Sequence, residues 1–185
     1  MKQEYIDTFD QTITPGWGIL PLLRQDQFVN MLEIGCDVGD TAITLLSNTT
    51  ALHLYSIDPY DSYEDWNGVY LDKDNRKWCK ERMLARTSNY AGRHTHVEKT
   101  SDDAVNDWPD EFFDVIFIDG DHSYEQCLID CRNYWPKLKN NGLFCGHDYN
   151  AIVGVQKAVN EFCQEINITQ VYLLPNDVWA FQKIV

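Results

Sequence analysis

A doubly wound α/β sheet, parallel for most of its strands, is the architecture the sequence predicts, and three observations predict it. Strand-like and helix-like patterns alternate, as they do when successive parallel strands are joined by crossover helices. The strand candidates read as near-continuous apolar runs, VIFI at 115–118 being the clearest, which is the pattern of strands buried on both faces. These runs also end in polar groups: Asp58, Asp119 and the pair His147–Asp148 each follow a predicted strand. Ligands of open α/β sheets bind beyond the carboxyl ends of the strands, so three strands deliver their acids and an imidazole to one crevice.

Taken in order, the first strand is expected over Phe28–Ile34, followed by the turn GCDVGD and a helix over about Thr41–Ser47. Leu52–Ile57 is the second strand and ends at Asp58-Pro59; a loop rich in tyrosine and tryptophan runs from Tyr60 to Tyr70. A helix over about Lys73–Arg86, a weaker strand at His94–Glu98 and a short helix at Asp102–Asp107 come next, then the strand Phe112–Ile118. Tyr124, Cys127, Leu128, Cys131, Trp135 and Leu138 recur at helical spacing. Ser123 with Gln126 forms a capping-box signal at the start of that helix, and Pro136 kinks or ends its last turn. KNNG turns the chain into a strand at Gly142–Gly146, and a helix over Val153–Ile166 presents Val155, Val159, Phe162 and Ile166 on one face. Gln170–Leu174 and Val178–Ile184, joined by PND, make an antiparallel hairpin.

The chain has 185 residues, which suits one domain over 1–185, with residues 1–27 as a lid segment ahead of the first strand. A net charge of -14 argues against nucleic acid or an anionic membrane as partner. The basic residues Lys73, Arg76, Lys77, Lys80, Arg82 and Arg86 are interleaved with acids and read either as a solvated helix face or as a docking patch. Six scattered cysteines form no C-x-x-C pair, so they read as free core thiols in a reducing compartment rather than as zinc ligands. The N-terminal residues MKQEYIDTFDQ lack the apolar core of a secretory signal, and no apolar run approaches the ~20 residues of a membrane span, so a cytoplasmic location is expected.

In LEIGCDVGDTA, residues 32–42, Gly35 and Gly39 let backbone approach a ligand and a helix N-terminus adds a positive dipole. The spacing G-x-x-x-G is not that of a dinucleotide fingerprint, and Asp37 and Asp40 would repel a pyrophosphate. The turn suits a ligand with a cationic end, or is simply tight and empty. Asp58 stands where a carboxylate can accept both hydroxyls of a ribose. Ser101 and Asp102 either reach an adenine edge or cap a helix. His53, His94 and His96 fall near strand starts and receive no role. Trp17, Tyr60, Tyr63, Trp66 and Tyr70 lie in loops, as a wall for a substrate ring or as a small loop core.

LEIGCDVGD, SIDPY, FDVIFIDGDHSYE and LKNNGLFCGHDY resemble the successive motifs of class I S-adenosylmethionine-dependent methyltransferases, over roughly residues 28–184. The chain looks most like the small-molecule O-methyltransferases, of the macrocin (sugar) type and the related catechol type. That resemblance implies a Rossmann-like seven-stranded sheet in the order 3-2-1-4-5-7-6, with strand 7 antiparallel. It implies cofactor contacts from Glu33, Gly35, Cys36, Asp37, Gly39, Thr41, Asp58, Ser101, Asp102 and Asp119. It also implies a divalent cation, Mg2+ or Mn2+, on Asp119, His147 and Asp148, although an imidazole there suits manganese better than magnesium.

His122, where catechol-type enzymes carry a lysine, is then the base, with Asp121 orienting it or acting itself. The alternative for His122 is a helix cap at Ser123, and for His147 a buried, satisfied imidazole. The acceptor implied is a hydroxyl of a sugar, glycan or glycosylated metabolite, with Trp17, Tyr60, Tyr63 and Trp66 as the substrate wall. A phenolic O-methyltransferase and a non-catalytic cofactor-binding module are the competing readings. Trp17 closes the pocket, or a neighbouring subunit of a homodimer does.

Overall fold

The structure, a computed structural model, describes residues 14–23, 27–65 and 67–184. Strands β1 (Val29–Ile34), β2 (Leu52–Ile57), β5 (His94–Val97), β6 (Phe113–Ile118), β7 (Leu138–Gly146), β8 (Tyr172–Leu174) and β9 (Val178–Gln182) form one seven-stranded sheet in the order β5-β2-β1-β6-β7-β9-β8. Counted along the chain, these seven strands run 3-2-1-4-5-7-6, the expected order. The five strands from β5 to β7 pair in parallel, while β9 runs antiparallel to both β7 and β8. Around the sheet lie α1 (Pro15–Ile19), α2 (Asp40–Asn48), α3 (Lys73–Thr87), α4 (Ser101–Ala104), α5 (Tyr124–Tyr134) and α6 (Val153–Glu165).

The central strands are apolar on successive residues because each face covers a different layer. Leu32, Ile34, Ile116 and Ile118 join Cys127, Leu128, Cys131 of α5 and Val155, Val159, Phe162 of α6 in one core. Val29, Met31, Val115 and Phe117 point the other way, onto Leu45 and Leu46 of α2 and Met83 of α3. Burying both faces removes the polar alternation a half-exposed strand would show. All six cysteines are buried and free, as their positions in apolar patterns suggest. No helix among the described residues is long and apolar enough to cross a membrane.

Three local expectations are corrected. The helical stripe does not reach Leu138: α5 ends at Tyr134, two residues before Pro136, and Leu138 instead opens β7 opposite Phe113. KNNG is not a separate turn but part of β7, where the register slips between Phe113 and Val115 and Asn141 takes φ 64°. The buried Lys183 pins this irregularity, its Nζ donating to the carbonyls of Trp135 and Leu138 at 3.0 and 2.8 Å. The loop after β2 is not structureless either, since Tyr63–Glu64 (β3) and Tyr70–Leu71 (β4) pair as a two-rung hairpin. The capping box is half formed: Ser123 Oγ accepts from Gln126 N at 3.3 Å, but the Gln126 side chain turns to Asp130 and Ser101.

Gly146, the last residue of β7, is where the fold meets the crevice. A Cβ there would lie 2.4 Å from the Trp179 ring and 2.5 Å from the Ile118 carbonyl. Overpacking of this kind costs roughly 1–3 kcal/mol. Gly146→Ala is therefore expected to lower the thermal midpoint by several degrees, which calorimetry of the variant will read; an unchanged midpoint would mean that Trp179 yields freely.

Candidate active site

The parallel strands end along one edge, and backbone hydrogen bonds knit the turns that follow them. Gly35 N donates to Ile57 O at 2.9 Å, Asp119 N to Ile34 O at 2.8 Å and His147 N to Ile118 O at 3.1 Å. Gly35, at φ +85°, has no room for a side chain: a Cβ would stand 2.0 Å from the Asp119 carbonyl. Only glycine permits both the left-handed backbone and this approach. The glycine turn and the acid after β6 are thus in direct contact, and a cavity of about 1270 Å³ opens beside them. Carboxylates dominate its lining; Arg76 and Lys99 are the permanently charged cations there.

Four side chains form the centre of the charged floor. His122 Nε2 lies 2.9 Å from Asp148 Oδ2 and 3.4 Å from Asp119 Oδ1; His147 Nδ1 lies 3.3 Å from Asp148 Oδ1 and 3.5 Å from Asp119 Oδ1. Burial alone would lower the pKa of both imidazoles, but hydrogen bonds and the charges of Asp119 and Asp148 outweigh it and raise each to about 10. Burial likewise works against an ionised Asp148, and its bonds to His122 and His147 override that, holding it well below the ordinary carboxylate range. Both rings are thereby biased toward the protonated form that pairs with the two carboxylates.

Among the described residues, Asp119, His122 and Asp148 bring one carboxylate oxygen, one ring nitrogen and a second carboxylate oxygen within 4.8 Å of one another, a donor set that fits a divalent cation. The imidazole in this set is that of His122, expected as the base; His147, expected as a ligand, has its Nδ1 within 3.5 Å of the same two carboxylates. Asp121 does not orient His122. Its Oδ1 accepts from Ser123 N at 2.7 Å, so the carboxylates facing the ring are Asp148 and Asp119.

The cofactor-side residues separate in the same way. Glu33, Gly35, Cys36, Asp37, Thr41, Asp58, Ser101, Asp102 and Asp119 all line the cavity, whereas Gly39 caps α2 behind it, its Cα packed near Met83. Thr100, not Ser101 or Asp102, caps α4, its Oγ1 accepting from Asp103 N at 3.1 Å. Asp58 is fully engaged: Cys36 N and Asp37 N donate to Oδ2 at 3.2 and 2.9 Å, and Tyr60 N donates to Oδ1 at 2.9 Å. Arg76 Nη2 reaches both of its oxygens, at 3.1 and 3.2 Å. Of the aromatic wall, Tyr63 lines the cavity, but Tyr60 is only 7% exposed, belongs to the core and is not among the lining residues. Thr14 and Pro15 bring the start of α1 to the rim; Trp17 in the same helix is 41% exposed and not among the lining residues. Trp66 lies outside the described residues.

Several participants were not foreseen. Arg76, counted with the solvated basic face of α3, is 5% exposed and shares its buried side with Cys79, Met83 and Thr87. The signal was present, since those residues recur at helical spacing. His94, given no role, closes a buried chain: Ser56 Oγ donates to Glu33 Oε2 at 2.6 Å and lies 3.1 Å from His94 Nε2. Burial, with smaller contributions from Asp119 and Asp58, raises the Glu33 pKa to about 8 against the help of Ser56. Asp130 is a further buried acid on the cavity wall, raised to about 6 by burial although Ser101 and Gln126 oppose the shift.

A profile of the family described as "Methyltransferase domain" matches residues 32–149. No curated protein matches the sequence. Among solved structures, the chain is similar to the O-methyltransferase NovP, at 16% identity over 92% of this chain and 76% of that one, with a TM-score of 0.67. The SAH-bound methyltransferase of Podospora anserina is 16% identical over 84% and 71% of the two chains, TM-score 0.57. Spermidine synthase from Thermotoga maritima is 17% identical over 94% and 59%, TM-score 0.61. At such identities the likeness speaks to the fold alone.

The buried acid of β1 makes a prediction independent of any ligand. Between its unfolded pKa of 4.5 and its folded value of about 8, Glu33 holds a proton that the unfolded chain has released. Stability therefore falls as pH rises through that window, by up to about 1.4 kcal/mol per unit. Glu33→Gln keeps an acceptor for Ser56 and removes the titration, so denaturant unfolding should show the variant gaining on the wild type from pH 5 to pH 8. Parallel curves would place the Glu33 proton elsewhere.

Proposed function

The chain belongs to the methyltransferase-domain family, and from that premise we propose that it is an S-adenosylmethionine-dependent O-methyltransferase acting on a hydroxyl of a small, uncharged acceptor, a sugar or glycosylated metabolite before a phenol. The observation that carries the reading is the convergence of Asp119, His122 and Asp148 at adjacent strand ends, beside the glycine turn and inside one acidic cavity. The donor would supply an electrophilic methyl group on a sulfonium. Everything else falls to the residues of this chain.

The acidic lining favours a ligand with a cationic end, through Asp37 at the turn, and disfavours polyanionic acceptors by like-charge repulsion. A divalent ion, if required, would be held by Asp119, His122 and Asp148 and would acidify and orient the acceptor hydroxyl; the imidazole in the set favours manganese over magnesium. His147, whose Nδ1 faces the same two carboxylates, would be the proton acceptor in this reading from its neutral form, which a cation neutralising Asp119 and Asp148 would favour. Tyr63 and the start of α1 at Thr14–Pro15 bound the acceptor side. Six buried free thiols support a reducing, cytoplasmic setting.

Methyl transfer from S-adenosylmethionine to a panel of neutral sugars and catechols tests the proposal. Activity should vanish in excess chelator and return with Mn2+ more fully than with Mg2+. His122→Ala and His147→Ala should each lower turnover by roughly 10²–10⁴-fold, with affinity for S-adenosylhomocysteine held within a few-fold. Full turnover in chelator would remove the ion, and a wild-type kcat in both variants would remove the histidines from the chemistry.

A further inference from the structure

We propose that Asn176, at the tip of the β8–β9 hairpin, is a specificity-determining residue that accepts a hydrogen bond from a second, non-reacting hydroxyl of the acceptor. The assignment rests on the O-methyltransferase reading above and deepens it, because it selects acceptors with neighbouring hydroxyls over those with only one.

The hairpin tip is tied both to the floor of the cavity and to its rim. Asp177 accepts from Asn150 N at 3.0 Å through Oδ1 and from Ala151 N at 3.0 Å through Oδ2, which binds the tip to the segment that follows Asp148. Ile152 N closes that segment on the Asp148 carbonyl at 3.0 Å. On the other side α1 lies flush against the tip, since a Cβ on Gly18 would stand 2.4 Å from the Pro175 carbonyl. Asn176 and Asp177 take φ 61° and 54°, a left-handed backbone that Asn and Asp adopt more readily than most residues with side chains. Asn176 is therefore held between α1 and the chain leaving β7, and it lines the same cavity as Asp119, His122 and Asp148.

The amide of Asn176 is oriented by one contact. The Thr14 carbonyl can only accept, so it is Nδ2 that faces it, donating at 3.0 Å. This fixes the other branch of the carboxamide, and among the described residues Oδ1 has no partner. Its polar neighbours on this wall are not available in the same way. Thr14 is 1% exposed, with Oγ1 paired to Thr44 Oγ1 at 3.0 Å. Both Asp177 oxygens are occupied by Asn150 and Ala151. Asn176 Oδ1 is thus a preset acceptor. It is also neutral, so it holds a hydroxyl without adding to the negative charge that opposes an oxyanion on the substrate. A simple phenol brings only the hydroxyl that reacts, whereas a sugar brings a vicinal one that can donate to Oδ1.

The experiment measures methyl transfer from S-adenosylmethionine to methyl glycosides of neutral hexoses, each beside its monodeoxy analogues, and to catechol beside phenol. Calorimetric titration with S-adenosylhomocysteine runs in parallel. In the wild type, loss of the hydroxyl next to the methylated one should lower kcat/KM roughly 3- to 10-fold, the worth of one neutral hydrogen bond. Asn176→Gly keeps the left-handed backbone and removes the amide; it should erase that penalty while affinity for S-adenosylhomocysteine holds. Asn176→Asp keeps the size and an acceptor but cannot donate to Thr14, and should raise the acceptor KM more than it lowers kcat. An undiminished deoxy penalty in Asn176→Gly would overturn the assignment and leave the O-methyltransferase reading standing. A wild type that methylates none of these acceptors would overturn both.

Discussion

The cavity exists because of how the parallel ladder ends. In parallel pairing the bonds are evenly spaced, so the last rungs between β2, β1, β6 and β7 carry each strand out of the sheet at nearly the same level: Gly35 N on Ile57, Asp119 N on Ile34, His147 N on Ile118. Each of these donors belongs to a residue of the site or its immediate neighbour. The chemistry is therefore positioned by main-chain geometry and only then by side chains. Glycine appears where two such exits would collide, at Gly35 against the Asp119 carbonyl and at Gly146 against Ile118 and Trp179. Trp179 returns the favour by donating its Nε1 to the His147 carbonyl at 3.2 Å, so the antiparallel strand β9 steadies the exit of β7.

Gathering strand ends also gathers carboxylates, and their mutual repulsion has to be countered locally. Two devices do this. On one side the imidazoles of His122 and His147 sit between Asp119 and Asp148; on the other, Arg76 joins Asp37 to Asp58. The first device is exchangeable, because a proton on nitrogen and a divalent ion can serve the same carboxylates. The second is not, since a guanidinium stays charged and is walled in by Tyr60 and Tyr63. The exchangeable countercharge lies where bonds are proposed to change and the fixed one where a ligand is only to be held. Glu33 has neither device and responds by keeping its proton.

What could be read from the sequence follows the range of the interactions involved. Apolar runs, glycine turns and the acids at strand ends are local signals, and they located all seven main strands, with β2 at its observed bounds, as well as the residues around one crevice. Leu138 misled because helical spacing extends through Pro136 on paper, whereas the proline's missing N–H ends the helix and the backbone turns at once into β7. Tyr60 misled because loop position says nothing of direction; at φ 48° its ring turns into the core, and its hydroxyl finds the Asp37 carbonyl. His122 and His147 both come within 3.5 Å of Asp119 and Asp148, and residue spacing does not carry that convergence of two strand exits.

The same cavity constrains the proposed reaction through its charge. A field of carboxylates attracts a sulfonium donor and holds the neutral thioether product less tightly, so transfer itself weakens retention of the spent cofactor. That field also opposes an oxyanion on the acceptor, which is what methylation of a hydroxyl requires. The opposition is least where the imidazoles of His122 and His147 offset the carboxylates, at the floor they form with Asp119 and Asp148. In the proposed reaction the acceptor oxygen would approach from that side, in line with a methyl group presented from the glycine turn. Acceptors carrying phosphate or several carboxylates would meet the acidic walls before reaching the floor, which is the electrostatic ground for proposing a neutral hydroxyl compound.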